Sequence, residues 1–142
     1  MCGMFVMTAL LAYCGTEDPS VLDYAIHYSL AYSEPLYILT VVREEQMEPD
    51  NMDESIREYM EAAQKKAASQ GVTVHTIIET GNKPGEKIIE IAQSFKCDTI
   101  IMGRSNRSAL DRLILGSVSN YVVKNAECHV ILVNALDDKQ QS

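Results

Sequence analysis

The sequence lacks the features that would place it in a membrane or a secretory pathway. No apolar run approaches the roughly 18 residues that a helix needs to cross a bilayer. The apolar beginning has no basic n-region and no A-x-A-like cleavage site, so it does not read as a signal peptide. We therefore expect a cytoplasmic protein that has no membrane partner.

Basic residues are also scarce. Lys and Arg number 12 against 20 Asp and Glu, which gives a formal net charge of -8. Nucleic-acid binders carry a basic surface, so we expect no nucleic-acid partner. One segment is an exception. Between residues 103 and 117 the chain has three basic residues, Arg104, Arg107 and Arg112, and one acidic residue, Asp111. Such a segment suits either an anion or solvent.

Recognisable catalytic and metal patterns are missing as well. The four cysteines (Cys2, Cys14, Cys97 and Cys128) form no C-x-x-C pair, so no zinc site is indicated and we expect buried free thiols. Neither a Walker A motif nor G-x-G-x-x-G occurs. No nucleophile and base can be assigned to one site, and catalysis is not expected to be the main role.

What the chain does have is a regular alternation of strand-like and helix-like segments over 142 residues. Asp18 with Pro19 marks the start of a first helix, and Gly71 marks the end of a second. The third helix is predicted over 88–95 and the fourth over 118–124. Strands are predicted at 5–13, 36–42, 72–79, 99–102 and 129–133. Alternation of this kind predicts one domain, 1–142, with a parallel sheet, a core over about 5–133 and a polar tail at 134–142.

The segment 103–117 has the pattern of an anion-binding loop. Gly103 ends a predicted strand, and Gly116 directly precedes a helix. Ser117 is predicted to be the N-cap of that helix, whose first amides are free to donate. A helix N-terminus of this kind favours an anion. The hydroxyls of Ser117 and Ser119 would add donors, although the same pattern also suits capping and tight packing.

These segments resemble the universal stress protein (Usp) family. The resemblance rests on "TALLAYCGTEDPSVLDYAIHYSLAYSEPLYILTVV" and, most specifically, on "GSVSNYVVKNAECHVILV". It implies an α/β, three-layer sandwich of the adenine nucleotide alpha hydrolase-like type. The parallel sheet would have five strands in the order 3-2-1-4-5 and helices on both faces. It also implies a homodimer formed through the last strand, His129 to Val133.

One branch of the family binds ATP through a motif written G-x2-G-x9-G-[ST]. By position, Gly103 matches the first glycine, Gly116 and Ser117 match the closing pair, and Asn106 replaces the second glycine. Cys14 stands where ATP-binding members usually carry Asp. The candidate nucleotide site, with Mg²⁺ accompanying the phosphates of ATP or AMP, comprises Ala12, Tyr13, Cys14, Val41, Met102, Gly103, Asn106, Ser108, Gly116, Ser117 and Val118.

Three functional hypotheses follow from this comparison. The first is an adenine nucleotide-binding stress or signalling module that retains a partly degenerate motif. The second is a dimeric interaction module without nucleotide, because Asn106 and Cys14 both depart from the binding pattern. The third is a slow ATPase, which would need a positioned water and a base that the sequence does not identify.

Overall fold

The alternating segments form a parallel sheet between two layers of helices. A computed structural model describes residues 7–44, 54–104 and 116–134. The elements in chain order are β1 (Ala9–Ala12), α1 (Pro19–Tyr32), β2 (Leu36–Val42), α2 (Glu54–Ser69), β3 (Val74–Thr80), α3 (Pro84–Ser94), β4 (Thr99–Gly103), α4 (Ser117–Asn125) and β5 (His129–Val133). The strands pair in the order β3-β2-β1-β4-β5, all parallel. The predicted fold class is confirmed.

The sheet is buried on both faces because consecutive side chains of a strand point to opposite sides. Leu11 and Ile101 pack with α1 and α2. Leu10 and Ile100 pack with α3 and α4. All four side chains are fully buried. Apolar runs without alternation, such as "ALLA" in β1, are the sequence pattern that this two-sided burial requires.

Helix ends follow the local signals in two of three cases. Asp18 caps α1 by accepting a hydrogen bond from the Ser20 amide, as predicted, and Pro19 is the first helical residue. Gly71 ends α2 with φ +93, the left-handed conformation that favours glycine. The prediction of Ser117 as N-cap of α4 is wrong. Gly116 is the cap, and Ser117 is the first residue of the helix.

Strand bounds differ from prediction where hydrogen bonds end. Of the predicted strand 5–13, residues 5 and 6 lie outside the described residues, and among the described ones the β1 ladder begins at Ala9, opposite Leu36 and Thr99. β3 begins at Val74 rather than at Val72, whose amide donates to the carbonyl of Ala67 at the end of α2. β2 and β5 have the predicted bounds. Each helix of the described residues is too short or too polar to cross a membrane.

Candidate functional site

A crevice of about 300 Å³ lies at the carboxyl ends of β1, β2 and β4, between the first turns of α3 and α4. The volume is at the lower end of the range, about 300–1,000 Å³, that is typical of small-molecule sites. Strand order reverses at this point, since β1 connects to β2 on one side and pairs with β4 on the other. Ligands of open parallel sheets bind at such positions. The described residues that line the crevice are Ala12, Tyr13, Cys14, Glu17, Leu39, Val41, Pro84, Ile88, Met102, Gly103, Val118 and Ser119.

One wall of the crevice is apolar. Leu39 and Ile88 are almost fully buried and meet in the core cluster under α3. Val41 and Met102 extend this surface along the ends of β2 and β4. Pro84 is the first residue of α3 and also lines the crevice. A surface of this chemistry suits a flat, apolar ring system.

The opposite side is polar and is built from the turn after β1. The amide of Tyr13 is held by the carbonyl of Leu39 at 2.9 Å, which continues the ladder beyond β1. Burial, followed by the negative charge of Glu17, raises the pKa of the Tyr13 phenol, so its hydroxyl stays protonated and able to donate. The Cys14 thiol lies 3.1 Å from the Thr16 hydroxyl.

Helix α2 supports this turn from behind. Gly15 has φ +87, and a Cβ there would lie 2.6 Å from the ring of Tyr59. The Tyr59 hydroxyl shares a hydrogen bond of 2.6 Å with Thr40, whose side chain is buried in β2. Tyr13 and Tyr59 meet edge to face, with ring centroids 5.8 Å apart. The close approach of the Tyr59 ring and the positive φ together require glycine at position 15.

Glu17 is the acidic side chain among the described residues that line the crevice. Its carboxylate accepts hydrogen bonds from the amides of Cys14, at 2.9 and 3.1 Å, and of Gly15, at 2.9 Å. On the far side, a Cβ at Gly103 would lie 3.1 Å from Glu17 Cγ and 3.1 Å from Val21 Cγ2. The absence of a side chain at Gly103 therefore makes room for Glu17.

Seven of the eleven predicted site residues line the crevice, namely Ala12, Tyr13, Cys14, Val41, Met102, Gly103 and Val118. Gly116 and Ser117 do not line it; they are exposed at the start of α4, next to Val118. Asn106 and Ser108 lie outside the described residues. Ser119, considered only as an additional donor, does line the crevice.

The sequence did not point to Glu17, Leu39, Pro84 or Ile88 as site residues. Leu39 could have been found, because it lies two residues before Val41 on the same face of β2. Pro84 and Ile88 reach the crevice only through the packing of α3 against β2, which no local pattern specifies. The interaction of Glu17 depends on the backbone turn at Gly15.

The cysteines differ in part from expectation. Cys97 is buried, Cys128 is half-buried and Cys14 is exposed, so the prediction of buried thiols is wrong for Cys14. Burial raises the pKa of the Cys97 thiol to about 12.

Arg104 follows the last residue of β4. Its amide donates to the Val133 carbonyl at 2.9 Å, and the buried Nε of its side chain has no hydrogen-bond partner among the described residues. Arg104 does not line the crevice as described.

Comparison with solved structures shows the same fold. A universal stress protein in complex with cAMP superposes with a TM-score of 0.73 at 21% identity, covering 92% of this chain and 98% of that chain. One from Archaeoglobus fulgidus in complex with dAMP gives a TM-score of 0.72 at 20% identity, covering 91% and 98%. These identities establish similarity of fold alone.

Sequence comparison identifies relatives by name. A universal stress protein of Methanocaldococcus jannaschii is 38% identical over 82 residues, covering 58% of this chain and 48% of that protein, about half its length. Another, from Thermus aquaticus, is 32% identical over 135 residues, covering 89% of this chain and 97% of that protein. The model of the Universal stress protein family matches residues 7–134. The chain belongs to the universal stress protein family.

Proposed function

We propose that this protein binds adenine nucleotides, ATP or AMP, in the crevice and acts as a stress or signalling module. The observation that carries the proposal is the pairing of two unlike walls at one sheet edge. Leu39, Val41 and Ile88 offer an apolar surface for a base. The start of α4, which places Val118 and Ser119 in the crevice, offers a helix N-terminus for the phosphate. The neighbours that hold cAMP and dAMP support it by fold.

In this proposal Mg²⁺ enters with the phosphates. The described residues contain no group of three or more His, Cys, Asp or Glu side chains that could hold a metal ion. Mg²⁺ is often held by one or two carboxylates together with substrate phosphates. Glu17 is the carboxylate at the crevice. A cytoplasmic location is part of the proposal, because free thiols such as Cys14 and Cys97 suit a reducing compartment.

Calorimetry and thermal shift with AMP, ADP and ATP–Mg²⁺ test the proposal. The informative variant is Val118→Trp, which places a large ring in the crevice at the first turn of α4. Its matched control is Val123→Trp on the same helix, where the native side chain is 45% exposed and outside the crevice. We expect Val118→Trp to abolish binding and Val123→Trp to leave it unchanged. The proposal fails if no ligand gives heat or a thermal shift at millimolar concentration.

The rival function is a dimeric interaction module that binds no nucleotide. Its specific support is Cys14, which lines the crevice with a thiol where a carboxylate is usual in ATP-binding relatives. Asn106, the second departure, lies outside the described residues. The double variant Cys14→Asp and Asn106→Gly separates the two functions. Nucleotide binding by this variant and not by the native protein favours the rival.

A further inference from the structure

The turn after β1 is an anion site that the chain fills itself. Gly15, at φ +87, turns the backbone so that two consecutive amides, those of Cys14 and Gly15, converge on one acceptor. Consecutive amides of this kind form concave sites that bind anions. The acceptor here is the carboxylate of Glu17, which makes contacts of 2.9 to 3.1 Å. The two donors are therefore already engaged by a negative charge from the protein.

That charge lies on the side of the crevice where a phosphate is expected. Glu17 Cγ would lie 3.1 Å from a Cβ at Gly103, the residue that ends β4 and opens the candidate phosphate loop. Glu17 lines the same crevice as Val118 and Ser119 of the first turn of α4. A ligand that places its base on Leu39 and Ile88 thus brings its phosphate towards the carboxylate.

No basic side chain offsets Glu17 among the described residues that line the crevice. Two like charges repel each other more strongly in a partly buried site than in water, because the effective dielectric is lower there. The Glu17 carboxylate repels a phosphate dianion twice as strongly as a monoanion at the same distance, and it does not repel a neutral nucleoside. The described part of the crevice lining therefore carries one acidic side chain and no basic one.

We propose that Glu17 is a specificity-determining residue that ranks adenine ligands by phosphate charge. The order of affinity without a divalent cation is adenosine first, then a cyclic monoanion, then AMP and finally ATP. Mg²⁺ reduces the negative charge of ATP, so it should reduce the difference in affinity between ATP and adenosine. This inference rests on the proposed nucleotide function and adds to it which ligands the site favours.

Calorimetry in low-salt buffer with EDTA tests the ranking with adenosine, AMP and ATP. The variant is Glu17→Gln, which removes the charge and keeps the length of the side chain. The matched control is Asp18→Asn, which removes a charge one residue away. Asp18 does not line the crevice, and Asn preserves its N-cap bond to Ser20. Thermal melting of both variants checks the fold. If Glu17→Gln has a lower Tm than the native protein, Glu17→Ala serves as the second variant.

We expect Glu17→Gln to raise the affinity for ATP about tenfold and for AMP less, with adenosine within about twofold. Asp18→Asn should change the affinity for each ligand by less than about twofold. Added salt should reduce the increase in ATP affinity that Glu17→Gln causes. An equal gain for all ligands, or ATP binding the native protein more tightly than adenosine, overturns the inference and leaves the nucleotide function standing. Binding of no adenine ligand to any variant overturns both.

Discussion

Gly85 of α3 lies against the ring of Tyr121 on α4. A Cβ at Gly85 would stand 2.8 Å from Tyr121 Cδ1 and 3.1 Å from Tyr121 Cβ. The missing side chain thus lets the two helices approach closely on one face of the sheet. The same two helices carry Ile88 and Val118 into the crevice, so their spacing sets its width.

Gly85→Ala should therefore destabilise the protein, although alanine is normally favoured over glycine in a helix. The added methyl group overpacks the contact with Tyr121 and costs about 1–3 kcal/mol. Chemical denaturation measures the change in the free energy of unfolding. In a Tyr121→Ala background the cost of Gly85→Ala should shrink, because the ring contact at 2.8 Å is removed while the Cβ contact at 3.1 Å remains. Stabilisation by Gly85→Ala in the native background would contradict the packing described here.

The two glycines of the candidate phosphate loop should respond differently to substitution. A Cβ at Gly103 meets Glu17 and Val21 at 3.1 Å, so Gly103→Ala should lower stability by about 1 kcal/mol and displace Glu17. A Cβ at Gly116 meets no atom of the described residues within 4 Å, and its φ of -62 suits any residue. Gly116→Ser also supplies a capping hydroxyl to α4, so stability should hold or rise.

Ligand titrations of the same two variants then separate folding from binding. Gly116→Ser should weaken nucleotide binding, because its side chain occupies space that the phosphate needs while the fold stays intact. Unchanged affinity in Gly116→Ser, measured by calorimetry beside the native protein, would mean that the phosphate does not approach this helix end. Gly81→Ala is a suitable control, since a Cβ there has ordinary contacts from 3.4 Å and Gly81 lies outside the crevice.

Stability should fall between pH 5 and 8 because of a carboxyl pair at the opposite end of the sheet. Burial raises the pKa of Glu34 to about 7, and a hydrogen bond to Asp98 and its charge add to the effect. A carboxyl whose folded pKa exceeds its unfolded value of 4.5 stabilises the fold below that value. The contribution is lost as the pH rises through 7. Since Glu34 is partly exposed, we expect a net effect of about 1 kcal/mol, or about 4 °C in Tm.

Thermal melting of Glu34→Gln against the native protein measures this contribution. The amide cannot ionise, so the variant should lose the part of the pH dependence that Glu34 supplies and should melt higher at pH 8. Glu61→Gln, at an exposed position of α2, controls for the general loss of one negative charge. Parallel melting curves for native protein and Glu34→Gln across this pH range would contradict the assignment.

The fold could be predicted because its signals are local and repeated. Asp18 and Gly71 mark helix ends through their own backbone and side-chain chemistry. The crevice could be predicted only in part. Cys14 and Gly103 lie at strand ends, where parallel topology brings them together. The engagement of Glu17 depends on a left-handed turn and on space beside another strand, and neither is visible in a sequence window.

We expect two copies of the chain to dimerise through β5. In the described sheet β5 pairs with β4 alone, and the amide of His129 donates to the carbonyl of Asp98 at 3.1 Å. Because successive amides of a strand point in opposite directions, the amide of Ile131 also faces β4 and that of Val130 faces the open edge. An unpaired edge of this kind is open to pairing with a second copy. We expect a homodimer that uses the amide of Val130.

Val130→Pro removes a donor from the open edge and leaves the β4 ladder intact, whereas Ile131→Pro removes a donor from that ladder. We expect Val130→Pro to weaken dimerisation at least about tenfold, because both copies lose a hydrogen bond of about 1 kcal/mol each. Ile131→Pro should instead destabilise the fold itself by about 1–3 kcal/mol, because a carbonyl in the ladder loses its donor. Sedimentation over a range of concentrations measures the dimer, and melting measures the fold. A native protein that sediments as a monomer throughout, or a Val130→Pro dimer as tight as the native one, would exclude this edge as the interface.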